Sequence, residues 1–265
     1  MKNIIILGSG RSGTSMVAGC LAKSGYFMGN NLYPPRNSNP KGFFESADIN
    51  GVNEDIISLN IPHRPRILPQ WIRNKIFRSR PMKCQRWLAE VPLNVDITTS
   101  EEINNHISQL VHYSPYCYKD PRFSYTLPVW KPYLQNTLFI CVFRNPGATV
   151  QSIIKECNDA EYLHTLTINP VKAERIWILM YQHILNNYKK GGEWLFLHFD
   201  EVLENSGLEK IEKFTGACVN SIFPEKKLKR SEDTNCFTVD SLICYKELCK
   251  LAEYKINSSI TTSHS

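Results

Sequence analysis

Short apolar runs alternate with amphipathic stretches along the chain. Ile4 to Leu7 is apolar throughout and stops at Gly8; a run with no polar face suits a strand covered on both sides, as in a parallel sheet. From Thr14 to Ser24, the residues Met16, Val17, Cys20 and Leu21 recur at helical spacing. The opening therefore predicts strand, glycine-rich loop and helix, the first half of a βαβ unit. Thr137 to Phe143 (TLFICVF) is the clearest central strand, and Tyr116 to Tyr118 and Trp194 to Phe199 predict two more. Helices are expected over 49–60, 101–111, 127–134, 146 to about 157, 170–189, near 201–215 and 240–254, with Pro146 well placed for a first turn. Strands alternating with helices predict an α/β chain: a three-layer P-loop-like fold with a central parallel β-sheet flanked by helices.

Two stretches break the pattern. Residues 29–46 (GNNLYPPRNSNPKGFFES) are rich in Asn, Pro and Gly and predict a long loop, of the kind that is functional or disordered. Residues 61–82 carry Pro62, Pro65, Pro69 and Pro81 among His63, Arg64, Arg66, Arg73, Arg78 and Arg80. They predict an irregular basic insertion, either a lid or a solvated excursion. A single domain is expected over 1–256, with 257–265 as a frayed tail.

Composition narrows the classes. The 265 residues are 42% hydrophobic and 21% charged, which suits a globular chain. The net charge of +6 is compatible with a mildly basic surface or with an anionic ligand. No compact Lys/Arg block appears, so no nucleic-acid partner is expected. Nine cysteines in an odd count, with no CxxC pair, read as reduced thiols rather than as zinc ligands or disulfides. The apolar start is too short for a signal peptide or a membrane span, so a cytoplasmic protein without a membrane partner is expected.

The candidate chemistry starts at the first loop. Gly8-Ser-Gly-Arg-Ser-Gly13-Thr14-Ser15 nearly matches the phosphate-loop pattern GxxxxGK[ST], in which converging backbone amides and a helix N-terminus hold an anion. The lysine of that pattern is replaced by Thr14, and the nearby cation is Arg11. This fits an anion other than a magnesium-bound triphosphate; a glycine turn without a ligand is the plain alternative. The strand TLFICVF ends in Arg144, with Ser152 eight residues on. Ligands of open α/β sheets sit at the carboxyl ends of the strands, so Arg11 and Arg144, leaving two such ends, suit a ligand with two separated phosphates. A surface ion pair is the ordinary alternative for Arg144.

With RSGTS after the first strand and VFRNPxxxxxS after a later one, the chain resembles the sulfotransferases that use 3′-phosphoadenosine-5′-phosphosulfate (PAPS). NPKGFFES at 39–46 and KDPRFSYTLPVW at 119–130 resemble segments of bacterial, small-molecule and carbohydrate-modifying members, and HFDEVL at 198–203 resembles a later strand end. The resemblance implies that Gly10, Arg11, Ser12, Gly13, Thr14 and Ser15 hold the 5′-phosphosulfate. It implies that Arg144 and Ser152 hold the 3′-phosphate, and that Arg230, in Lys229-Arg230-Ser231, closes on it. It further implies sulfuryl transfer to a hydroxyl or amine of a small-molecule acceptor, with adenosine 3′,5′-bisphosphate (PAP) as product and no metal. Secondary metabolism is the expected setting, and tailoring of saxitoxin-type toxins is one candidate. Arg11 stands where many animal cytosolic members carry lysine, and their late glycine-rich closing segment is missing here.

Glu45 is the first candidate for the base: its place in the long loop after the first helix resembles that of the catalytic glutamate in heparan-type sulfotransferases, and Phe43 and Phe44 beside it would desolvate the carboxylate and raise its pKa; a surface glutamate next to a helix cap is the alternative. The resemblance makes Lys119 the second catalytic candidate, as a contact to substrate or sulfuryl group, and an ion pair with Asp120 is its structural alternative. Arg11 is a further catalytic candidate, placed with the loop amides and the hydroxyls of Thr14 and Ser15 to stabilise the charge on the leaving oxygen. Asp120, His63 and His164 are weaker candidates for a base, and Arg122 reads as structural. Two other functions remain open: a nucleotide kinase or NTPase, with Asp200 of HFDE as a magnesium ligand, and a nucleotide-binding protein without transferase activity.

Overall fold

All five residues of Asn3–Leu7 (β1) are buried, which places this strand inside the sheet. The computed structural model describes residues 1–65, 67–229, 231 and 238–256. Within them, β1 pairs in parallel with Cys117–Lys119 (β2) on one side and Thr137–Phe143 (β3) on the other, and Glu193–His198 (β4) pairs with β3. The order is β2-β1-β3-β4. The period of two along each strand sends side chains to opposite faces. Ile5, Leu7, Phe139, Cys141 and Phe143 enter one apolar cluster; Ile4, Ile6, Leu138, Ile140 and Val142 enter the other. Each such buried aliphatic side chain contributes roughly 1.5–3 kcal/mol, and this double burial is why the strands read as continuous apolar runs.

Helices cover both faces, which completes the three layers. Thr14–Leu21 (α1) follows the first loop and packs on the second cluster. Ala47–Asn60 (α2) packs on the first cluster, capped by Ser46, whose hydroxyl accepts from the Asp48 amide at 3.3 Å. Residues 61–82 contain a short helix, Gln70–Ile76 (α3), where an irregular segment was expected. Its neighbours are tied down by guanidinium-to-carbonyl bonds: buried Arg64 donates to Arg80 O at 2.8 Å and Thr165 O at 2.8 Å. Glu101–Leu110 (α4) follows.

Phe123–Trp130 (α5) starts four residues earlier than the expected helix at 127–134. Its start is set by Asp120, whose carboxylate accepts from the Arg122 amide at 2.8 Å. Burial of Phe123, Tyr125, Leu127 and Trp130 then holds the helix through Pro128. Pro146–Asp159 (α6) begins with Pro146 as expected, capped by Asn145 through the Ala148 amide at 3.0 Å. Pro170–His183 (α7) continues as a π turn to Tyr188. Phe199–Leu203 (α8), Ser206–Thr215 (α9) and Val239–Ala252 (α10) complete the described helices.

Among the described residues no helix is long and apolar enough to cross a membrane. Eight described cysteines are free, five of them buried: Cys20, Cys117, Cys141, Cys244 and Cys249. Cys236, Arg66, Arg230 and the expected tail at 257–265 lie outside the described residues.

Candidate active site

The first loop turns where a side chain would not fit. Gly8 has φ 137°, and a Cβ there would run into the Val142 carbonyl of β3. Gly13 has φ 95° at the N-cap of α1 and lies against the Phe199 ring. The amides of Gly13, Thr14 and Ser15 find no acceptor among the described residues. Three N–H groups at the positive end of a helix therefore remain available to an anion. Gly10, Arg11, Gly13, Thr14 and Ser15 line a cavity of about 530 Å³. Ser12 does not: it is fully buried beneath the loop.

Arg144 and Ser152 line the same cavity, so the ends of β1 and β3 converge on one ligand-sized space. Buried Arg144 donates to the Ser231 carbonyl, and its guanidinium carbon lies 4.5 Å from the Phe199 ring centroid. Ser152 is engaged by Arg11 rather than by Arg144: Arg11 Nε donates to Ser152 Oγ at 3.1 Å. The rest of the Arg11 guanidinium reaches Ser38 O at 3.1 Å and Glu156 Oε2 at 3.4 Å, and Ser38 Oγ donates to Glu156 Oε1 at 3.1 Å. Arg11 thus ties the phosphate loop to α6 and to the 29–46 loop. Glu156 lies one helical turn beyond Ser152, so its place in this cluster was legible from spacing once Ser152 was named.

Half-buried Glu45 and buried Lys119 form an ion pair on the cavity wall. Lys119 Nζ also donates to Ser15 Oγ at 3.0 Å, and Asn50 Nδ2 donates to Glu45 Oε2 at 3.0 Å. Burial alone raises the Glu45 carboxyl. The cations Lys119 and Arg122, with the hydrogen bonds from Asn50 and Lys119, outweigh it and hold the group below its ordinary value. The expected rise in its pKa is therefore corrected. The Phe43 side chain lines the cavity, but the Phe44 ring turns to Phe223, 5.5 Å between centroids. Burial lowers Lys119, and the Glu45 carboxylate opposes that effect.

The partner of Asp120 is Arg122, at 3.0 Å, and not Lys119; its other oxygen accepts from Asn53 at 3.0 Å. Arg122 also pairs with Glu54 at 2.8 Å, and Glu54 holds Arg86 at 2.9 Å. This buried set fixes the KDPR turn that presents Lys119, so Arg122 is structural as expected. Truncating one member of such a pair costs about 3–5 kcal/mol.

Asp200, the candidate magnesium ligand, lies in α8 and is held by Lys229 at 2.9 Å, outside the cavity lining. His63 and His164 are exposed and away from the cavity. Among the described residues no three His, Cys, Asp or Glu side chains gather as metal ligands. Trp87, whose ring would meet a Cβ at Gly10 at 2.5 Å, walls the cavity, and no sequence pattern announced it.

No family model and no curated protein matches the sequence. Over 97% of this chain and 99% of that one, the structure is similar to the sulfotransferase domain from the curacin biosynthetic pathway, with a TM-score of 0.54 and 14% identity. The chain has the sulfotransferase fold. Looser similarities are to the sulfotransferase domain from the Synechococcus PCC 7002 olefin synthase, with TM-score 0.45, 18% identity, and 98% and 92% of the two chains covered. Sulfotransferase STF9 from Mycobacterium avium follows, with TM-score 0.43, 14% identity, and 94% and 74% covered.

Proposed function

We propose that the chain is a PAPS-dependent sulfotransferase acting on a hydroxyl or amine of a small-molecule acceptor. The observation that supports it most is the convergence of Arg144, the uncommitted amides of Gly13, Thr14 and Ser15, and the Glu45–Lys119 pair on one cavity of about 530 Å³. That volume lies in the range of small-ligand sites, and the cations and amides suit a donor bearing two phosphate groups. PAPS is a substrate in this reading, and it supplies the sulfuryl group.

The acceptor oxygen or nitrogen forms a bond to sulfur as the bond from sulfur to the bridging oxygen breaks. The electron pair leaves on the 5′-phosphate of PAP, and the acceptor proton goes to the Glu45 carboxylate. The residues contribute position and fixed charge. The loop amides and Lys119 face the charge that builds on the leaving oxygen. Arg144 holds the distal phosphate, with Arg230, outside the described residues, as a proposed closing contact. Arg11 and Ser152 brace the loop on α6. Because its neighbours keep Glu45 ionised, the base is ready at neutral pH, and turnover is expected to show no acid limb due to Glu45 above the ordinary carboxylate range.

The protein is expected to transfer label from PAPS to an acceptor in the presence of EDTA, and to be stabilised against heat by PAP without metal. Stabilisation by Mg·ATP alone would favour the NTPase reading instead; PAP binding with no transfer to any acceptor would leave a binding protein. The curacin-pathway neighbour suggests biosynthetic tailoring as the setting in which to seek the acceptor.

A further inference from the structure

The cations that line the cavity are not equally committed. Arg11, Lys41, Lys119 and Arg122 each have a carboxylate partner, Lys229 pairs with Asp200, and Arg144 is held at the Ser231 carbonyl. Arg36 and Lys83 have none among the described residues, and both are exposed where they line the cavity. Arg36 shares the 29–46 loop with Glu45, and Lys83 shares the stretch after α3 with Trp87. The Arg36 guanidinium lies 5.7 Å from the Tyr162 ring centroid.

The stretch that leads into Lys83 is basic. Residues 61–82, which run directly into Lys83, contain six cations and no acid, equal to the whole net charge of +6. None of the described ones pairs with a carboxylate. Among the described residues, eight cations and four carboxylates (Glu45, Glu54, Glu156 and Glu225) line the cavity, and such an excess of positive charge concentrates anionic ligands.

Resting on the sulfotransferase reading, we propose that the acceptor carries an anionic group, a carboxylate or a phosphate or sulfate ester. Arg36 and Lys83 receive that group while its nucleophile meets Glu45. The two cations are specificity-determining for the acceptor and not part of the donor seat. A neutral acceptor would leave them without a partner, so binding favours the charged member of any matched pair.

The test uses the full chain with 4-hydroxyphenylacetate and its methyl ester, and with other hydroxy acids and their esters. With PAPS, the acid is expected to exceed its ester by about tenfold in kcat/KM, the value of one charge-assisted contact. Arg36→Gln with Lys83→Gln should erase the preference through KM, while calorimetry finds PAP affinity within about twofold of wild type. Equal use of acid and ester, or loss of PAP affinity in the double variant, would overturn the proposal and leave sulfuryl transfer standing. If PAP binds but no probe is sulfated, Trp fluorescence of the PAP-loaded chain still decides. Tighter binding of the acid, lost in the double variant, supports the anion site; equal binding rejects it. Failure of the wild type to bind PAP would instead remove the sulfotransferase reading on which the inference rests.

Discussion

The proposed donor side of the cavity hangs on regular structure, whereas the proposed acceptor side hangs on irregular segments. Gly10–Ser15 and Arg144 leave the ends of β1 and β3, which pair in register from Asn3 with Thr137 to Leu7 with Cys141. Tyr33, Arg36 and Glu45 sit on the 29–46 loop, and Lys83 and Trp87 on the stretch after α3. Strand ends held by a sheet can place phosphate-binding groups with little freedom, and loops can vary without disturbing that frame. The Glu45–Lys119 pair joins the two: one partner comes from the loop, the other from the end of β2.

That contrast can be broken most sharply at the junction. Glu45→Gln is expected to lower turnover by about 10²–10⁴-fold with PAP affinity within about twofold, since it removes the proposed base and leaves the proposed phosphate contacts. A parallel loss of PAP affinity, read by calorimetry, would show that the two sides are not separable. Arg144→Ala should weaken PAP binding by about 10–100-fold, the value of one charge-assisted phosphate contact. Unchanged affinity would remove this strand tip from the donor side.

The acid response tests the frame that carries both sides. Burial drives the His198 imidazole down to about 3, against the opposing pull of Asp200. The unfolded chain then binds a proton that the folded chain refuses, so stability falls as pH drops from about 6.5 toward about 3. The slope is at most about 1.4 kcal/mol per pH unit. Chemical denaturation at stepped pH checks it, and His198→Phe should flatten the profile over that window. The smallest effect is expected for Ser152→Ala, which removes one hydrogen bond to Arg11. A few-fold loss in PAP affinity fits a bracing role. A loss as large as that of Arg144→Ala would mean that Ser152 contacts the phosphate itself.

The sequence by itself determined the sheet and the anion loop. Ile4–Leu7 and TLFICVF are apolar because both faces of a central parallel strand are covered, and Gly8 and Gly13 mark backbone that no other residue adopts cheaply. Arg11 and Arg144 were legible as candidates because each follows a strand end, and Glu45 through the family resemblance of the loop that carries it. Only the tertiary structure decided what each one touches. Asp120 took Arg122 rather than Lys119, Arg11 took Ser152 and Glu156, and the Glu45 carboxyl went down rather than up. Those outcomes depend on charges brought together from residues as far apart in sequence as Glu45 and Lys119 or Arg11 and Glu156. Local pattern records the period of a strand or helix, but electrostatic partners are chosen by distance in space.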